Sequence, residues 1–456
     1  MSNRVGRYFP VLTWTREYDR GVFASDMLAA VVVTIMLIPQ SLAYALLAGL
    51  PAEMGLYASI LPLVAYALFG TSRTLSVGPV AVVSLMTATA VGKVAQTGSM
   101  DYMVAAIAMA LISGLMLVIM GLLRFGFMAN FLSHPVVSGF ITASGIIIAL
   151  SQARHLLGIP GHGDNLPDLA ASLLPHLGDT NPVTLVTGVA VIVFLFWSRG
   201  GLKRLLLSSG LTAGKADLIA KAAPVMVILA TTLTSFAADF EGRGVALVGV
   251  VPRGLPSLSV PTIDLALWSE LAVSAMLISI IGFVESVSVG KTLAAKRRQR
   301  VDPNQELVAL GAANVASAVS SGFPVTGGFS RSIVNFDAGA QTPAASMLAA
   351  AGIALAALLM TPVLLYLPKA TLAATIIVAV TSLLDFKIIR RAWVYSRSDF
   401  IAIVLTIVAT LLLCVVLGVL AGIAASVVLH HYKTTRRHIA VVGAVAGTEH
   451  FRNVVR

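Results

Sequence analysis

The chain has 456 residues, of which 57% are hydrophobic and 11% charged, and its mean hydropathy is +0.92. Soluble domains are about 45–50% apolar and about 25% charged, and disordered chains are poor in hydrophobic residues, so both classes are excluded. The net charge of +11 would suggest nucleic acid in a soluble protein, but here the basic runs are short and adjoin apolar spans. The composition predicts an integral membrane protein.

Apolar runs that could form membrane spans of about 20 residues recur along the chain. They are predicted at 27–47, 54–69, 103–123, 136–150, 183–197, 222–237, 265–289, 307–319, 345–366, 370–384, 401–417 and 418–430. The single cysteine, Cys414, lies in one of them, so no intrachain disulfide can form.

The distribution of charge predicts the orientation. Lys and Arg cluster at the N-terminus and in segments 199–221, 291–300, 387–397 and 433–437, whereas 155–182 and 239–270 are comparatively acidic. The positive-inside rule then places the basic segments and both termini in the cytoplasm, which requires an even number of crossings.

Two stretches interrupt this pattern at corresponding places in the two halves. Each has a flexible or β-favouring start, then Gly and Pro, then a short apolar run that could be helical (81–91 and 329–335). We predict half-helices that begin inside the membrane, as at the binding sites of secondary transporters. Two ordinary Pro-kinked helices are the alternative. The residues predicted at the half-helix N-termini are Ser76, Gly78, Pro79, Pro324, Thr326, Gly327 and Gly328.

Opposed helix N-termini would present unpaired N–H groups and partial positive charge, which indicates a negative substrate. Arg331 would add fixed charge, and Glu285, inside another span, would bind a coupling cation or proton. The alternative is a structural Glu285–Arg331 ion pair. Gln40 and Tyr44 share one helix face and could bind an oxyanion or only pack against a helix, and Ser330 could donate a hydroxyl.

The sequence does not contain the enzyme motifs that we compared with it. Gly290-Lys291-Thr292 lacks the earlier glycine of a phosphate-binding loop, since Glu285 stands in its place, and no His-Glu-x-x-His occurs. We therefore expect no enzyme, no metal site and no cofactor. A non-transporting membrane scaffold or sensor remains an alternative of another class.

The same residues carry a family likeness. Segments 37–45, 55–59 with 69–73, 75–81 and 323–332 resemble, in order, the signatures of the SulP anion transporters, the sulfate permease family. The likeness extends from about residue 23 to residue 432. It implies an all-α polytopic membrane protein with fourteen segments in two inverted repeats of seven, arranged as a core and a gate.

The likeness also implies boundaries and site residues. The cytoplasmic N-terminal segment would be 1–22 and the transport domain 23–432, with the core at 23–130 plus 262–366 and the gate at 131–261 plus 367–432. The tail 433–456 resembles the lead-in to a STAS domain, which would make the chain truncated or naturally short. The implied anion site comprises Gln40, Tyr44, Val80, Phe329, Ser330 and Arg331, with Glu285 in coupling or charge compensation.

The resulting expectation is secondary active transport of an inorganic oxyanion, sulfate first, by ion-coupled symport with elevator-like movement of the core. Bicarbonate or C4-dicarboxylate transport, anion exchange and channel-like conduction are the alternatives within transport. The expected partners are a small inorganic anion, a coupling proton or sodium ion and the lipid bilayer, with no nucleic acid; a homodimer is left open. The expected location is the inner (plasma) membrane.

Overall fold

The computed structural model describes residues 9–130, 134–163, 165–249, 254–258, 261, 263–359, 364–382, 384–413, 415–435, 442–444 and 451–453. Nearly all of their regular structure is helical, which confirms the all-α polytopic class. Cys414 and most of the tail, including 436–441 and 445–450, lie outside the described residues.

The helices follow the apolar runs of the sequence, with ends shifted by a few residues. The predicted span 54–69 is divided into two helices. The α-helices are Val11–Trp14, Arg20–Leu47, Ala52–Tyr57, Leu61–Phe69, Ala81–Val91, Met100–Leu122, His134–Ser151, Ala153–Leu157, Leu166–Leu173, Pro182–Trp197, Lys203–Ser208, Ala213–Lys221, Ala223–Ala237, Leu265–Lys296, Pro303–Val319, Phe329–Asp337, Ala344–Leu359, Lys369–Thr381, Lys387–Tyr395, Arg397–Leu412 and Val415–Thr435. Shorter 3-10 or π turns cover Thr15–Glu17, Phe125–Asn130, Leu174–Asp179 and Ser198–Leu202.

Six helices of the described part are long and apolar enough to cross a membrane. Four further apolar helices are shorter, and the Ala81–Val91 half-helix is one of them. The total of fourteen crossings and the division into core and gate stay predictions. The six helical stretches, three of which join consecutive helices named above, lie at Arg20–Leu47, Ala52–Phe69, Met100–Leu122, Val136–Leu157, Pro182–Ser208 and Leu265–Lys296.

Small residues let helices of the two halves approach closely. A Cβ added at Gly114 would lie 2.8 Å from the backbone N of Val315, and one added at Gly311 would lie 2.7 Å from the carbonyl oxygen of Gly114. Close approach through small residues is a common way to pack membrane helices, since lipid supplies no hydrophobic drive between them. Helix Met100–Leu122 is thereby fixed against Pro303–Val319.

Polar side chains cap the starts of several long helices. An oxygen of each capping side chain accepts a hydrogen bond from a first-turn N–H, which satisfies a donor that the helix itself leaves unpaired. The capping residues are Asp19, Ser99, Asn181, Asp264 and Asp302.

Two short strands pair with each other at the points where the sequence predicted broken spans. Val77–Gly78 pairs antiparallel with Thr326–Gly327, with Val77 opposite Gly327 and Gly78 opposite Thr326. The first half-helix (Ala81–Val91) and the second half-helix (Phe329–Asp337) begin directly after these strands. The interrupted spans are therefore confirmed, and unbroken Pro-kinked helices are not what the chain forms. A second antiparallel pair joins Val442–Ala444 to Phe451–Asn453.

Candidate functional site

The strand pairing brings the starts of the two half-helices together. The backbone N–H of Gly328 donates to the carbonyl oxygen of Ser76 at 3.1 Å. The backbone N–H of Ser76 donates to Oγ of Ser332 at 3.0 Å, so the second half-helix also holds the strand that precedes the first. Backbone at this depth needs such partners because lipid offers none.

The two half-helices begin without the side-chain caps found on the long helices. Their N-cap residues, Val80 and Gly328, have no side-chain cap hydrogen bond. The N–H groups of an uncapped first turn keep their capacity to donate, and they carry the positive end of the helix dipole. Two such ends side by side form an electropositive position that suits an anion.

Arg331 joins the two half-helices. Its side chain is 2% exposed, and its Nη1 donates to the carbonyl oxygen of Pro79. Nη2 donates to the carbonyl oxygen of Thr326 at 3.3 Å, and Nε is buried without a hydrogen-bond partner among the described residues. A buried, incompletely satisfied guanidinium is costly unless a further acceptor completes it.

Glycine is required where the guanidinium lies. A Cβ added at Gly328 would approach Cζ and Nη2 of Arg331 to 2.9 Å and Nε to 3.0 Å. The absence of a side chain at Gly328 is therefore a condition for the observed position of Arg331.

The helix that carries Glu285 holds the second strand in place. Oγ of Ser286 accepts from the backbone N–H of Gly327 at 2.9 Å and lies 2.8 Å from Oγ1 of Thr326. Thr326 Oγ1 in turn donates to the carbonyl oxygen of Gly282 at 2.7 Å. The hydroxyl of Thr326 thus serves the scaffold, and its backbone carbonyl binds Arg331.

Glu285 is the neighbour of this anchoring serine. Its side chain is 6% exposed, and its Oε2 has no hydrogen-bond partner among the described residues. Glu285 and Arg331, both within the described residues, form no ion pair with each other. The geometry gives the structural ion pair no support. Glu285 instead lines a cavity of about 710 Å³ together with Phe329.

A second cavity of about 500 Å³ contains three of the predicted site residues, Gln40, Tyr44 and Ser330. Gln40 and Ser330 are half-buried and Tyr44 is 8% exposed. None of the three side chains hydrogen-bonds to another described residue, which leaves their polar groups directed to the cavity or to solvent. Arg331 and Val80 are buried and line neither of these two cavities, whereas Phe329, 44% exposed, lines the cavity of Glu285.

The 500 Å³ cavity is also lined by a charged cluster that the sequence did not single out. Nζ of Lys203 lies 2.8 Å from Oδ1 of Asp217, and Nζ of Lys221 lies 2.9 Å from Oδ2. Hydrogen bonds from Lys203 and then Lys221 hold the pKa of the Asp217 carboxyl below its usual range. Asp217 is the one acidic residue in the basic segment 199–221, and this isolated position in the sequence could have pointed to an ion pair with the lysines around it.

Two buried carboxylates outside the cavities were also missed. Asp26 accepts from the backbone N–H of Gln341 at 2.7 Å and from Oγ1 of Thr342 at 2.5 Å. Glu306 accepts from the hydroxyl of Tyr66 at 2.8 Å and from the backbone N–H of Thr71 at 2.8 Å. Each carboxylate binds a residue more than 200 positions away, so both tie the two halves of the chain together.

The sequence matches the sulfate permease family over residues 23–406. It is 36% identical over 450 residues to sulfate transporter 4.1, chloroplastic, of Arabidopsis thaliana. The alignment covers 98% of this chain and 64% of that protein. The chain is 31% identical over 457 residues to high affinity sulfate transporter 1 of Stylosanthes hamata, with 98% and 67% covered. The chain thus spans about two thirds of the length of these relatives.

Two solved structures share the fold. The structure of SLC26A9 superposes with a TM-score of 0.90 at 24% identity, covering 99% of this chain and 72% of that one. The transmembrane domain of the cyanobacterial bicarbonate transporter BicA superposes with a TM-score of 0.74 at 19% identity, covering 90% and 98%.

Proposed function

This chain belongs to the sulfate permease family, and on that premise we propose that it carries a small inorganic oxyanion, sulfate first, across a membrane. The family is one of transporters and not of enzymes. The observation that carries the proposal is the pair of uncapped half-helix N-termini bridged by buried Arg331. That arrangement offers N–H donors and positive charge where lipid would otherwise forbid an anion.

The proposed anion position lies between Val80 and Phe329, at the first turns of the two half-helices. Backbone N–H groups and Arg331 would neutralise the charge, while Gln40, Tyr44 and Ser330 would donate from the cavity side. Other oxyanions could use the same donors, so the choice of sulfate rests on the sulfate transporters among the relatives.

We assign coupling to Glu285. A carboxylate buried in a span is expensive unless it takes up a proton or cation, and Oε2 of Glu285 has no hydrogen-bond partner among the described residues. Proton symport is the first proposal and sodium the second. The anion would then neutralise the positive charge of Arg331, and the coupling ion would neutralise the negative charge of Glu285.

The proposed movement is an elevator-like shift of the core ranges against the gate ranges. Backbone hydrogen bonds join the two strands, and the guanidinium of Arg331 donates to the carbonyl oxygen of Pro79, so the half-helices would move as one unit. Gate residues Arg199, Lys203 and Lys221 line the 500 Å³ cavity and belong to a basic segment. By the positive-inside rule this cavity opens to the cytoplasm.

The family and the apolar helices indicate a multi-pass membrane protein. We propose the inner (plasma) membrane with both termini cytoplasmic. Because one relative is chloroplastic, localisation of a tagged chain in its native cell is the direct check of the membrane.

The test of the function is uptake of labelled sulfate by purified protein in proteoliposomes. Unlabelled sulfate, bicarbonate, chloride, nitrate and fumarate compete in parallel, with and without imposed proton and sodium gradients. We expect sulfate to compete best and a proton gradient to drive accumulation. Folded protein that moves none of these anions under any gradient would refute transport and favour a scaffold or sensor.

A further inference from the structure

A short basic helix connects two apolar helices on the side that the charge distribution assigns to the cytoplasm. Helix Lys387–Tyr395 lies between Lys369–Thr381 and Arg397–Leu412. Its cations are Lys387, Arg390 and Arg391, all exposed. The ion pairs of the described residues include none of these three.

The nearby carboxylates do not balance this charge. Oδ1 of Asp385 accepts from the backbone N–H of Lys387 at 3.0 Å, and Asp385 does not line the groove that the cations line. Asp399 lines the same groove as the three cations, which leaves the groove with more positive than negative side chains. Such a surplus beside a membrane attracts anionic lipid, whose leaflet concentration is highest on the cytoplasmic side.

Apolar side chains flank the cations on the same short segment. Trp393 is 59% exposed, Val394 is 79% exposed and Phe386 is 58% exposed. The Trp393 ring contacts the Phe400 ring at 4.7 Å between centroids, which fixes its position at the start of the next apolar helix. Exposed Trp beside basic residues is typical of the membrane interface, where the apolar part of the ring contacts lipid and its N–H contacts water.

The groove beside this helix has a volume of about 730 Å³ and is lined by both cationic and apolar side chains. Lys387, Arg390 and Arg391 line it together with Ile388 and Val394. A volume of this size accommodates a small-molecule headgroup. We propose that helix Lys387–Tyr395 is a binding site for an anionic phospholipid, with the phosphate among the three cations and the acyl chains along Val394 and Trp393.

A lipid suits this surface better than a second copy of the chain or a free anion. A symmetric contact between two copies would place one set of three cations near the other, which costs energy. A free phosphate would use the cations but leave the exposed Val394 and Trp393 in water.

The experiment measures binding of phosphatidylglycerol and phosphatidylcholine to the whole chain by native mass spectrometry. The test variant is R390Q/R391Q. The matched control is R298Q/R300Q, which removes two exposed arginines from the separate basic segment 291–300. We expect the test variant to bind phosphatidylglycerol about 10- to 30-fold more weakly, and the control to bind as the wild type does. Quenching of Trp393 by phosphatidylglycerol brominated on its acyl chains, absent in W393F, should accompany binding.

Equal phosphatidylglycerol binding in wild type and R390Q/R391Q, or an equal loss in the control, would overturn the proposal. So would equal affinity for phosphatidylcholine, or glycerol 3-phosphate binding as tightly as the lipid, which would point to a free anion. A dimer that forms without lipid and shields Trp393 from the quencher would assign the surface to a second copy instead.

Discussion

Replacing Gly328 by alanine should displace Arg331 without removing its charge. Gly328 has φ −85° and ψ 131°, a conformation that alanine adopts without strain. The added Cβ would lie 2.9 Å from Cζ and Nη2 of Arg331, whereas ordinary contact begins at 3.4 Å. The substitution therefore tests the position of the guanidinium, with the backbone and all charged groups unchanged.

The size of the effect follows from the contact. The guanidinium must retreat by about 0.5 Å to reach ordinary van der Waals distance. Its Nη2 is already 3.3 Å from the carbonyl oxygen of Thr326, so that hydrogen bond would be lost. Hydrogen bonds of charged groups contribute about 1.5–3 kcal/mol, which corresponds to roughly 10- to 150-fold in sulfate affinity if Arg331 must stay in place to bind.

The assay is equilibrium binding of labelled sulfate to purified protein, with uptake in proteoliposomes and thermal unfolding measured alongside. Gly178→Ala is the control, because a Cβ there meets nothing within 4 Å. We expect weaker binding in Gly328→Ala and unchanged binding in Gly178→Ala, with both variants folded. Wild-type affinity in folded Gly328→Ala would refute the requirement for Arg331 at its observed position.

Three further outcomes are expected. Arg331→Ala should lower sulfate affinity by roughly 30-fold or more, while Arg300→Ala, on an exposed loop, should not; undiminished uptake and affinity would remove Arg331 from the site. Glu285→Gln should abolish accumulation driven by a pH gradient while sulfate exchange persists, and accumulation that still follows the gradient would exclude the coupling role. The hydrogen bonds from its lysines hold the pKa of Asp217 below the usual range, so its ion pairs are present at neutral pH and are lost only as pH falls through that lowered value. Sulfate uptake by Asp217→Asn should therefore depend on pH between about pH 5 and 8 as uptake by the wild type does. A shift in the pH of half-maximal uptake would contradict the conclusion that Asp217 stays ionised in this range.

The broken spans could be predicted because their cause is local. Glycine and proline interrupt an apolar run, so residues 75–81 and 320–329 carried the signal in their own order. In the structure Pro79 and Pro324 lie before the N-cap residues Val80 and Gly328, outside the first turns. The predicted start and end of the first half-helix, Ala81 and Val91, agree with the structure, and the second begins at Phe329 as predicted.

The interactions that complete the site could not be predicted, because they join distant parts of the chain. Arg331 donates to Pro79 from a position 252 residues away, and Tyr66 donates to Glu306 across 240 residues. Hydropathy reports how apolar a segment is and not which segment it faces. Contacts of this kind are also missing from the hydropathy of segment 54–69. Gly55 packs so tightly on Ser41 that an added Cβ would lie 1.9 Å from the carbonyl oxygen of Ser41.

Charged residues near span ends were not singled out from the sequence, and the reason is physical. Asp26 lies close to the basic N-terminal segment, where a carboxylate is ordinarily solvated. Its side chain is nevertheless buried and accepts hydrogen bonds from Gln341 and Thr342. Lys203, Asp217 and Lys221 fall in a basic segment that the charge rule treats only as a marker of orientation. Their arrangement around one cavity depends on packing of several helices.

The central claim is that the two half-helix N-termini hold the oxyanion. Selenate in place of sulfate allows its selenium to be located by anomalous scattering in crystals of the purified protein. We predict a selenium peak within hydrogen-bond reach of the first-turn N–H groups that follow Val80 and Gly328, on the side of Gln40 and Tyr44. A peak elsewhere, or none at a selenate concentration that saturates transport, would contradict the account.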